Sequence, residues 1–376
     1  MSPIWLAMTL FTPHQDAALN AVAAWLKSKP GRNGVPQVFR LFGYAGTGKT
    51  TLARHLAEAV DGKVLFAAFT GKAALVMRSK GCERASTIHS LIYKTRESGE
   101  EVPSFDLWDD APASKAALIV IDECSMVDTE LGRDLMSFGV PLLVLGDPAQ
   151  LPPIQGGGFF TEAEPDAMLT EVHRQAQDNP IVRLSMDIRA GLDLKPGTYG
   201  ETEIVTRDDL DGQRVIDADQ VLVGRNATRR AYNMRMRQRR GFEGALPATG
   251  DKLVCLRNNK RKGLFNGALW SVKEKPSTRR EIIKLRLQPD DGFAGKGIKV
   301  SVRAECFTGG IEGLEWPLRK RYDEFDYGYV LTVHKAQGSQ WDDVVLFDES
   351  GAFGESRQRW LYTGVTRAAQ RLTVVI

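Results

Sequence analysis

Residues 43–50 read GYAGTGKT and fit the pattern G-x-x-x-x-G-K-[ST]. A loop of this composition turns backbone N–H groups inward around phosphate oxygens, and Gly46 and Gly48 permit the turn. A helix following it would point its positive end at the same anion. Lys49 then reaches for the β- and γ-phosphates of a nucleotide, and the Thr50 hydroxyl for Mg²⁺. Gly43, Ala45, Thr47 and Thr51 complete the loop. The alternative is a Gly-rich turn with no ligand, which the strand–loop–helix setting argues against.

Two further turns carry matching chemistry. Asp122 and Glu123 end the apolar run ALIVI. An acid at a buried strand tip needs a partner, and Mg²⁺ is a natural one for Asp122. Glu123 is placed to orient and deprotonate an attacking water. Alone, the pair could be solvated acids capping a strand; beside the phosphate loop they complete it. Gln150 follows LGDPA at the next strand tip, where a neutral amide can touch both phosphate and water. Otherwise LGDPAQLPP is an ordinary surface turn.

These residues need a scaffold. Strand-like runs at Lys63–Phe69, Ala117–Ile121 and Pro141–Leu145 alternate with helix-like stretches at Thr50–Val60, Lys72–Ser79 and Asp128–Phe138. Such alternation predicts a parallel sheet with helices on its faces. The turns GYAGTGKT, FTGK, IDECS and LGDPAQ then share one rim, beyond the carboxyl ends of the strands, where open α/β sheets bind ligands. A helix is expected over 14–27. A second alternating unit follows: helix at Asn179–Ala190, strand at Gln220–Val223, helix at Ala227–Arg239, then strands at Tyr329–Val333, Val344–Phe347 and Leu372–Ile376 around a helix at Ser356–Ala368. Between them, Asp251–Asp326 breaks into short alternating runs with Gly, Asn and Pro turns, which predicts a small all-β insert.

Bulk composition narrows the class. Hydrophobic residues make up 43% of 376 and charged residues 26%, as in an ordinary globular protein of two or more domains. Net charge is only +3, so any nucleic-acid surface must come from local clustering. Cys82, Cys124, Cys255 and Cys306 form no C-x-x-C pair, which argues against zinc and disulfides and for a reducing cytosol. Neither a signal peptide nor a membrane span is expected.

In order, the motifs GYAGTGKTT, FTGKAA, STIHS, IDECSMVD, LGDPAQLPPI, VHRQ, LTVHKAQGS and YTGVTRA resemble those of a superfamily 1 helicase, and more narrowly the RecD/Dda group called superfamily 1B. The resemblance runs from about Thr12 to Ile376. It implies two RecA-like domains with ATP and Mg²⁺ in the cleft between them: residues 1–90 with 116–168, and residues 169–250 with 327–376. By position, Gln15 resembles the adenine-contacting glutamine, and Arg174 and Arg367 the arginines offered to the γ-phosphate by the second domain. Thr70, Gly71 and Lys72, with Thr87 and His89, resemble loops that grip single-stranded DNA. Thr332, His334, Lys335 and Gln337 resemble the matching loop of the second domain, with Gly338 where a backbone approaches closely. The segment 91–115 resembles a strand-separating pin, with Phe105 or Trp108 as the stacking residue, or else a surface loop with anchoring aromatics. Residues 251–326 resemble an SH3-like insert. One departure stands out: Gln340 replaces the family's acid beside the nucleotide sugar, which puts nucleotide selectivity in question.

Arg225–Arg240 carries seven arginines and reads either as a rail for phosphates or as a solvated helix face; RNNKRK at 257–262 is equally open. The function implied by the resemblance is ATP-dependent 5′→3′ translocation on single-stranded DNA with unwinding at single-strand/duplex junctions. The alternatives are a translocase that strips proteins from a strand, an RNA-preferring helicase, and a nucleotide-gated binding module with little turnover. The chain is expected to be a monomer in a bacterial cytosol or phage-infected cell, without membrane contact, among proteins of replication or recombination.

Overall fold

A computed structural model of the chain describes residues 11–95, 105–152, 158–171, 178–259, 262–290 and 297–376. Its first unit is a six-stranded, wholly parallel sheet. In chain order the strands are β1 (Val38–Gly43), β2 (Val64–Ala68), β3 (Ser86–Thr87), β6 (Leu118–Asp122), β7 (Leu142–Gly146) and β8 (Ala167–Leu169). They lie in the order β3-β2-β6-β7-β1-β8. Helices α1 (Pro13–Lys27), α2 (Lys49–Glu58), α3 (Gly71–Ser79), α4 (Ile88–Ile92) and α5 (Thr129–Met136) connect or flank them.

The apolar runs of these strands are continuous because both faces are covered. Phe39, Leu41, Leu118 and Val120 pack on one face with Trp25 and Leu52, while Phe42, Ile119 and Ile121 pack on the other with Leu131 and Leu135. With the faces filled, the polar turns are left at the rim. Between α4 and β6, strands β4 (Tyr93–Thr95) and β5 (Phe105–Leu107) form an antiparallel hairpin.

The second unit repeats the plan. Strands β9 (Gly197–Tyr199), β10 (Thr202–Val205), β11 (Gln220–Val223), β18 (Val330–Thr332), β19 (Trp341–Phe347) and β20 (Ala368–Val375) pair in the order β18-β11-β19-β20-β10-β9, parallel except for β9. Helices α6 (Pro180–Arg189), α7 (Gly212–Asp217), α8 (Asn226–Arg239), α9 (Val333–Ala336) and α10 (Arg357–Val365) surround it. The insert between the two parts of this unit is an antiparallel sheet of β12 (Lys252–Cys255), β13 (Leu269–Val272), β14 (Ser277–Arg279), β15 (Ile282–Pro289), β16 (Ile298–Arg303) and β17 (Phe325–Tyr327).

Several expected bounds move. Leu169 pairs with Gly43 in the first sheet, so that unit runs past residue 168. β17 pairs with β12, so the insert sheet continues through Tyr327. Helix α4 reaches Ile92, so the hairpin starts at Tyr93 and not at 91. The C-terminal helix stops at Val365, and Ala368 already belongs to β20, because Trp341 pairs with Ala368 at the start of the β19–β20 ladder. These shifts occur where short or polar strand ends are fixed by pairing partners far away in sequence, which local pattern does not carry.

The arginine-rich stretch is divided: Arg225, Arg230, Arg235, Arg239 and Arg240 are exposed, while Arg229 and Arg237 turn inward. In α8, Arg237 is fully buried. Its Nε donates to Asp251 Oδ1 at 2.9 Å and its Nη2 to Asp251 Oδ2 at 3.0 Å, with two more bonds to the Gly244 and Leu246 carbonyls. Arg229 Nη1 meets Asp326 Oδ2 at 2.7 Å. Both arginines brace the helix against the insert. The insert shares its core with the second unit, since Leu253 and Trp270 cluster with Val221, Met236 and Val345. In the second basic stretch, Arg257 bonds Glu324, and Lys260 and Arg261 lie outside the described residues.

Candidate nucleotide site at the seam of two sheets

A cavity opens between the units, lined by the phosphate loop, Asp122, Glu123, Asp147 and Gln150 from the first and by Gly338, Ser339, Gln340, Thr366 and Arg367 from the second. The loop leaves β1 and enters α2, whose N-cap Gly48 is left-handed (φ 79°), as is Gly46 (φ 78°). Gly43 admits no side chain: a β-carbon there would stand 2.7 Å from Thr47 Oγ1 and 2.8 Å from the Leu169 β-carbon. Lys49 Nζ donates to the Gly43 carbonyl at 2.6 Å and to the Tyr44 carbonyl at 2.9 Å. Those bonds hold its ammonium in the mouth of the loop.

Asp122 links two elements. Its Oδ2 accepts from Thr50 Oγ1 at 2.8 Å, and its Oδ1 accepts from the Glu123 N–H at 2.9 Å. Glu123 stands in the left-handed region (φ 53°, ψ 45°), an uncommon place for a residue with a β-carbon. The twist takes Glu123 off the line of β6 and into the cavity. Burial raises its carboxyl above the ordinary glutamate range, with Arg367 pulling the other way and Asp122 adding to the rise. A carboxylate raised in this way suits a proton acceptor working near neutrality.

Gln150 is buried, and its Oε1 has no hydrogen-bond partner among the described residues. A polar atom in that state calls for a ligand or water. Together with the Thr50–Asp122 pair and the amide-rich loop, it fits a magnesium-bound nucleoside triphosphate. Arg367 enters from the second unit, buried, with Nε on the Thr363 carbonyl at 3.0 Å and Nη1 on the Ser339 carbonyl at 3.1 Å. Arg174 lies outside the described residues. Thr51 and Gln340 line the cavity as expected positions.

Gln15 is tied to the phosphate loop. Its Oε1 accepts from the Thr12 N–H at 3.0 Å in a capping box, and its Nε2 donates to the Thr47 carbonyl at 3.0 Å. It supports the phosphate loop from behind and is not among the side chains lining the cavity.

The two expected track loops share one local design. Thr70 caps α3 by accepting from the Ala73 N–H at 3.1 Å, and Thr332 caps α9 by accepting from the Lys335 N–H at 3.3 Å. Each threonine follows a strand tip of its own sheet. Gly71 is covered by Phe265 of the insert, whose side chain would stand 2.7 Å from a β-carbon there. Lys72 is buried and lies 4.6 Å over the Trp341 ring. Gln337 is buried too, donating to the Leu151 carbonyl at 3.0 Å. Lys72 and Gln337 thus both make contacts at the seam between the two units. Thr87 is buried at the start of α4. His89 stacks edge-on with Phe69, and His334 packs against Phe353. Burial lowers both imidazoles, so they present neutral rings at pH 7. Lys335 is exposed. Trp108 stands 38% exposed at the foot of the hairpin, its backbone N–H donating to the Ile92 carbonyl at 2.9 Å, while the side chain of Phe105 lies outside the described part.

Sequence reasoning missed Tyr362. Its hydroxyl donates to Asp147 Oδ2 at 2.5 Å and accepts from the Ala45 N–H at 3.1 Å, joining the second unit to the phosphate loop. The only signal was its place in YTGVTRA, five residues before Arg367.

Comparison with known proteins agrees with this layout. A family model described as an AAA domain matches residues 32–206, and one described as a UvrD-like helicase C-terminal domain matches residues 327–375. An ATP-dependent RecD2 DNA helicase of Deinococcus radiodurans is 27% identical over 406 residues, covering 96% of this chain and 52% of that protein. The ATP-dependent DNA helicase dda of Enterobacteria phage T4 is 30% identical over 195 residues, covering 48% and 43%. The chain thus spans about half the length of the curated relatives it matches. A Pif1 helicase solved to explain DNA unwinding at forked duplexes by two coordinating copies superposes with a TM-score of 0.61 at 19% identity, over 97% of this chain and 92% of that one. The Pif1 helicase of Candida albicans gives 0.57 at 18% identity, over 98% and 94%. At those identities the likeness is one of fold: two RecA-like α/β domains.

Proposed function

We propose that the chain is a superfamily 1B helicase of the RecD/Dda-like kind, an ATP-driven motor that moves 5′→3′ on single-stranded DNA and opens duplex at a junction. One observation carries the reading: Lys49, Thr50, Asp122, Glu123 and Gln150 from one sheet face Arg367 from the other across a single cavity.

The chemistry follows from the residues. Lys49 exchanges its two carbonyl partners for phosphate oxygens of ATP, and the loop amides share the load. Mg²⁺, held by Thr50 and Asp122, would neutralise phosphate charge when bound. Glu123 accepts the proton of the attacking water, and Gln150 orients that water through its unpaired Oε1. Arg367 brings a fixed positive charge to the terminal phosphate, so the site is complete only when the two domains are together. Hydrolysis removes that bond to closure, and the domains part. Closing and parting alternate the hold of the Thr70 and Thr332 loops on the strand. The contacts fall on phosphates and sugars, so sequence matters little. One copy holds a whole site, so the working unit is a monomer.

The test is strand separation on duplexes with a 5′ tail, a 3′ tail, no tail or an RNA tail, with Lys49→Ala as control. ATP-dependent opening of the 5′-tailed DNA alone is expected. Opening of only the 3′-tailed duplex would overturn the direction. ATP turnover without opening would replace unwinding by translocation or protein displacement.

A further inference from the structure

The turn that carries Gln150 is gripped by side chains of the other domain. Gln150 N–H bonds the Asp147 carbonyl at 3.1 Å, and Ala149 N–H bonds Asp147 Oδ1 at 3.0 Å, so Asp147 shapes the turn. Across the seam, the Leu151 N–H donates to Thr363 Oγ1 at 2.9 Å, Gln337 Nε2 donates to the Leu151 carbonyl, and Tyr362 donates to Asp147. Tyr362 and Thr363 are neighbours on α10, while Gln337 follows the Thr332 track loop.

The Tyr362 hydroxyl has its roles fixed. A carboxylate can only accept, so the phenolic proton goes to Asp147. The oxygen then offers a lone pair, polarised by that bond, to the Ala45 N–H of the phosphate loop. One residue earlier, the Arg189 guanidinium from α6 stacks over the Tyr44 ring, 3.2 Å from its centre. Two adjacent loop residues are thus held by two second-domain side chains. A contiguous set of bonds runs from the track loop through Gln337, Leu151, the Gln150 turn, Asp147 and Tyr362 to the phosphate loop.

We propose that Tyr362 is a positioning residue that couples the ATP site to single-strand binding, by tying the phosphate loop and the Gln150 turn to the domain that carries the second track loop. This rests on the motor reading above. Tyr362 touches no reacting atom; it sets where Ala45 and Asp147 stand relative to α10. Coupling of this kind is a free energy shared between two sites and is reciprocal, so it can be read from binding alone.

The experiment uses the full chain and its Tyr362→Phe variant, which keeps the buried ring and removes only the hydroxyl. A fluorescent oligo-dT is titrated with and without a non-hydrolysable ATP analogue, and ATP turnover is measured with and without oligo-dT. Tyr327→Phe, which loses a hydroxyl bond from the insert to the Ala245 carbonyl between α8 and β12, reports the general effect of removing a buried phenol. The expected result is that the ratio of oligo-dT affinities with and without analogue falls about fivefold or more in Tyr362→Phe, toward one, while affinity without analogue stays within about twofold. DNA stimulation of turnover falls in parallel, and Tyr327→Phe keeps the native ratio. A purely structural role would lower the melting temperature and leave the ratio unchanged, which overturns the proposal. Should Tyr362→Phe fold poorly, Asp147→Asn removes the same charged acceptor and must also shrink the ratio. Wild-type protein that neither hydrolyses ATP nor changes its DNA affinity with nucleotide would sink the motor reading itself, which separates the two failures.

Discussion

Gly338 in the second domain and Ala73 in the first lie so close that a β-carbon on Gly338 would stand 2.8 Å from the β-carbon of Ala73. Gly338 also has φ +73°, where a side chain costs about 1–2 kcal/mol. Both penalties fall where the two track loops meet. Gly338→Ala is therefore expected to push the domains apart, and misplacement of about 1 Å at a catalytic seam costs roughly 100-fold in turnover. DNA-stimulated ATP hydrolysis measured beside the melting temperature checks this. Unchanged stimulation in a folded Gly338→Ala protein would mean that the close approach has no part in the cycle.

Lys49 holds its place through two backbone carbonyls at the mouth of the loop. Its removal should leave the fold intact and strip a positive charge from the phosphates. Lys49→Ala is expected to lose about 100-fold or more in turnover, as when a preorganised charge-stabilising group is deleted. Oligo-dT binding without nucleotide should persist. Loss of that binding as well would point to a misfolded loop.

Glu123 should set the acid side of the pH profile. Burial raises its carboxyl, so the basic form needed to accept a proton is lost at a higher pH than for an exposed glutamate. Turnover should therefore decline, as pH falls, through a midpoint above the ordinary value of 4.5. Glu123→Gln should lower turnover by about 10²–10⁴-fold and abolish that acid limb. A steady-state pH series on both proteins decides it; an acid limb retained by Glu123→Gln would assign the titration to another group.

Arg237 and Asp251 are both fully inaccessible, and Tyr329 and the Ala248 N–H also donate to Asp251. Asp251→Asn would leave a buried guanidinium without its counter-charge, at a cost of about 3–5 kcal/mol. Thermal melting should show the loss, accompanied by exposure of Trp270 in the shared core to quenchers. An unchanged melt would show that water or a neighbouring group can replace the carboxylate.

Much of the placement of the candidate nucleotide site was legible from sequence because its residues sit at strand tips. There the strand fixes position, the turn fixes direction and the residue type fixes chemistry, as for Lys49, Asp122 and Gln150. What stayed hidden depends on contacts between distant segments. The Ala45–Tyr362 bond joins residues 317 apart, and nothing in local pattern points to it. The left-handed turn at Glu123 is likewise invisible, since the residue before and after it read as an ordinary strand end. Arg237 shows why a charge run is ambiguous: periodicity marks the helix, but the partner Asp251 lies beyond a turn, and the pairing reverses the side chain from solvent to core. Domain bounds slipped for the same reason, because Leu169 and Tyr327 are assigned by the strands they pair with.

The second sheet places β20 between β19 and β10, so the strand latest in chain order stands inside the sheet and not at its edge. Strand β10 reaches β19 only through it. The first sheet has all its members by Leu169 and can close while the rest of the chain is still being made. The second cannot, and its strands β10 and β19 wait for residues 368–375. Emergence from the ribosome therefore sets the order of assembly: the phosphate-loop domain folds first, and its partner depends on long-range pairing, which is slow. During that interval the exposed strand edges are open to wrong partners, and a chaperone that shields them would act on the second domain alone.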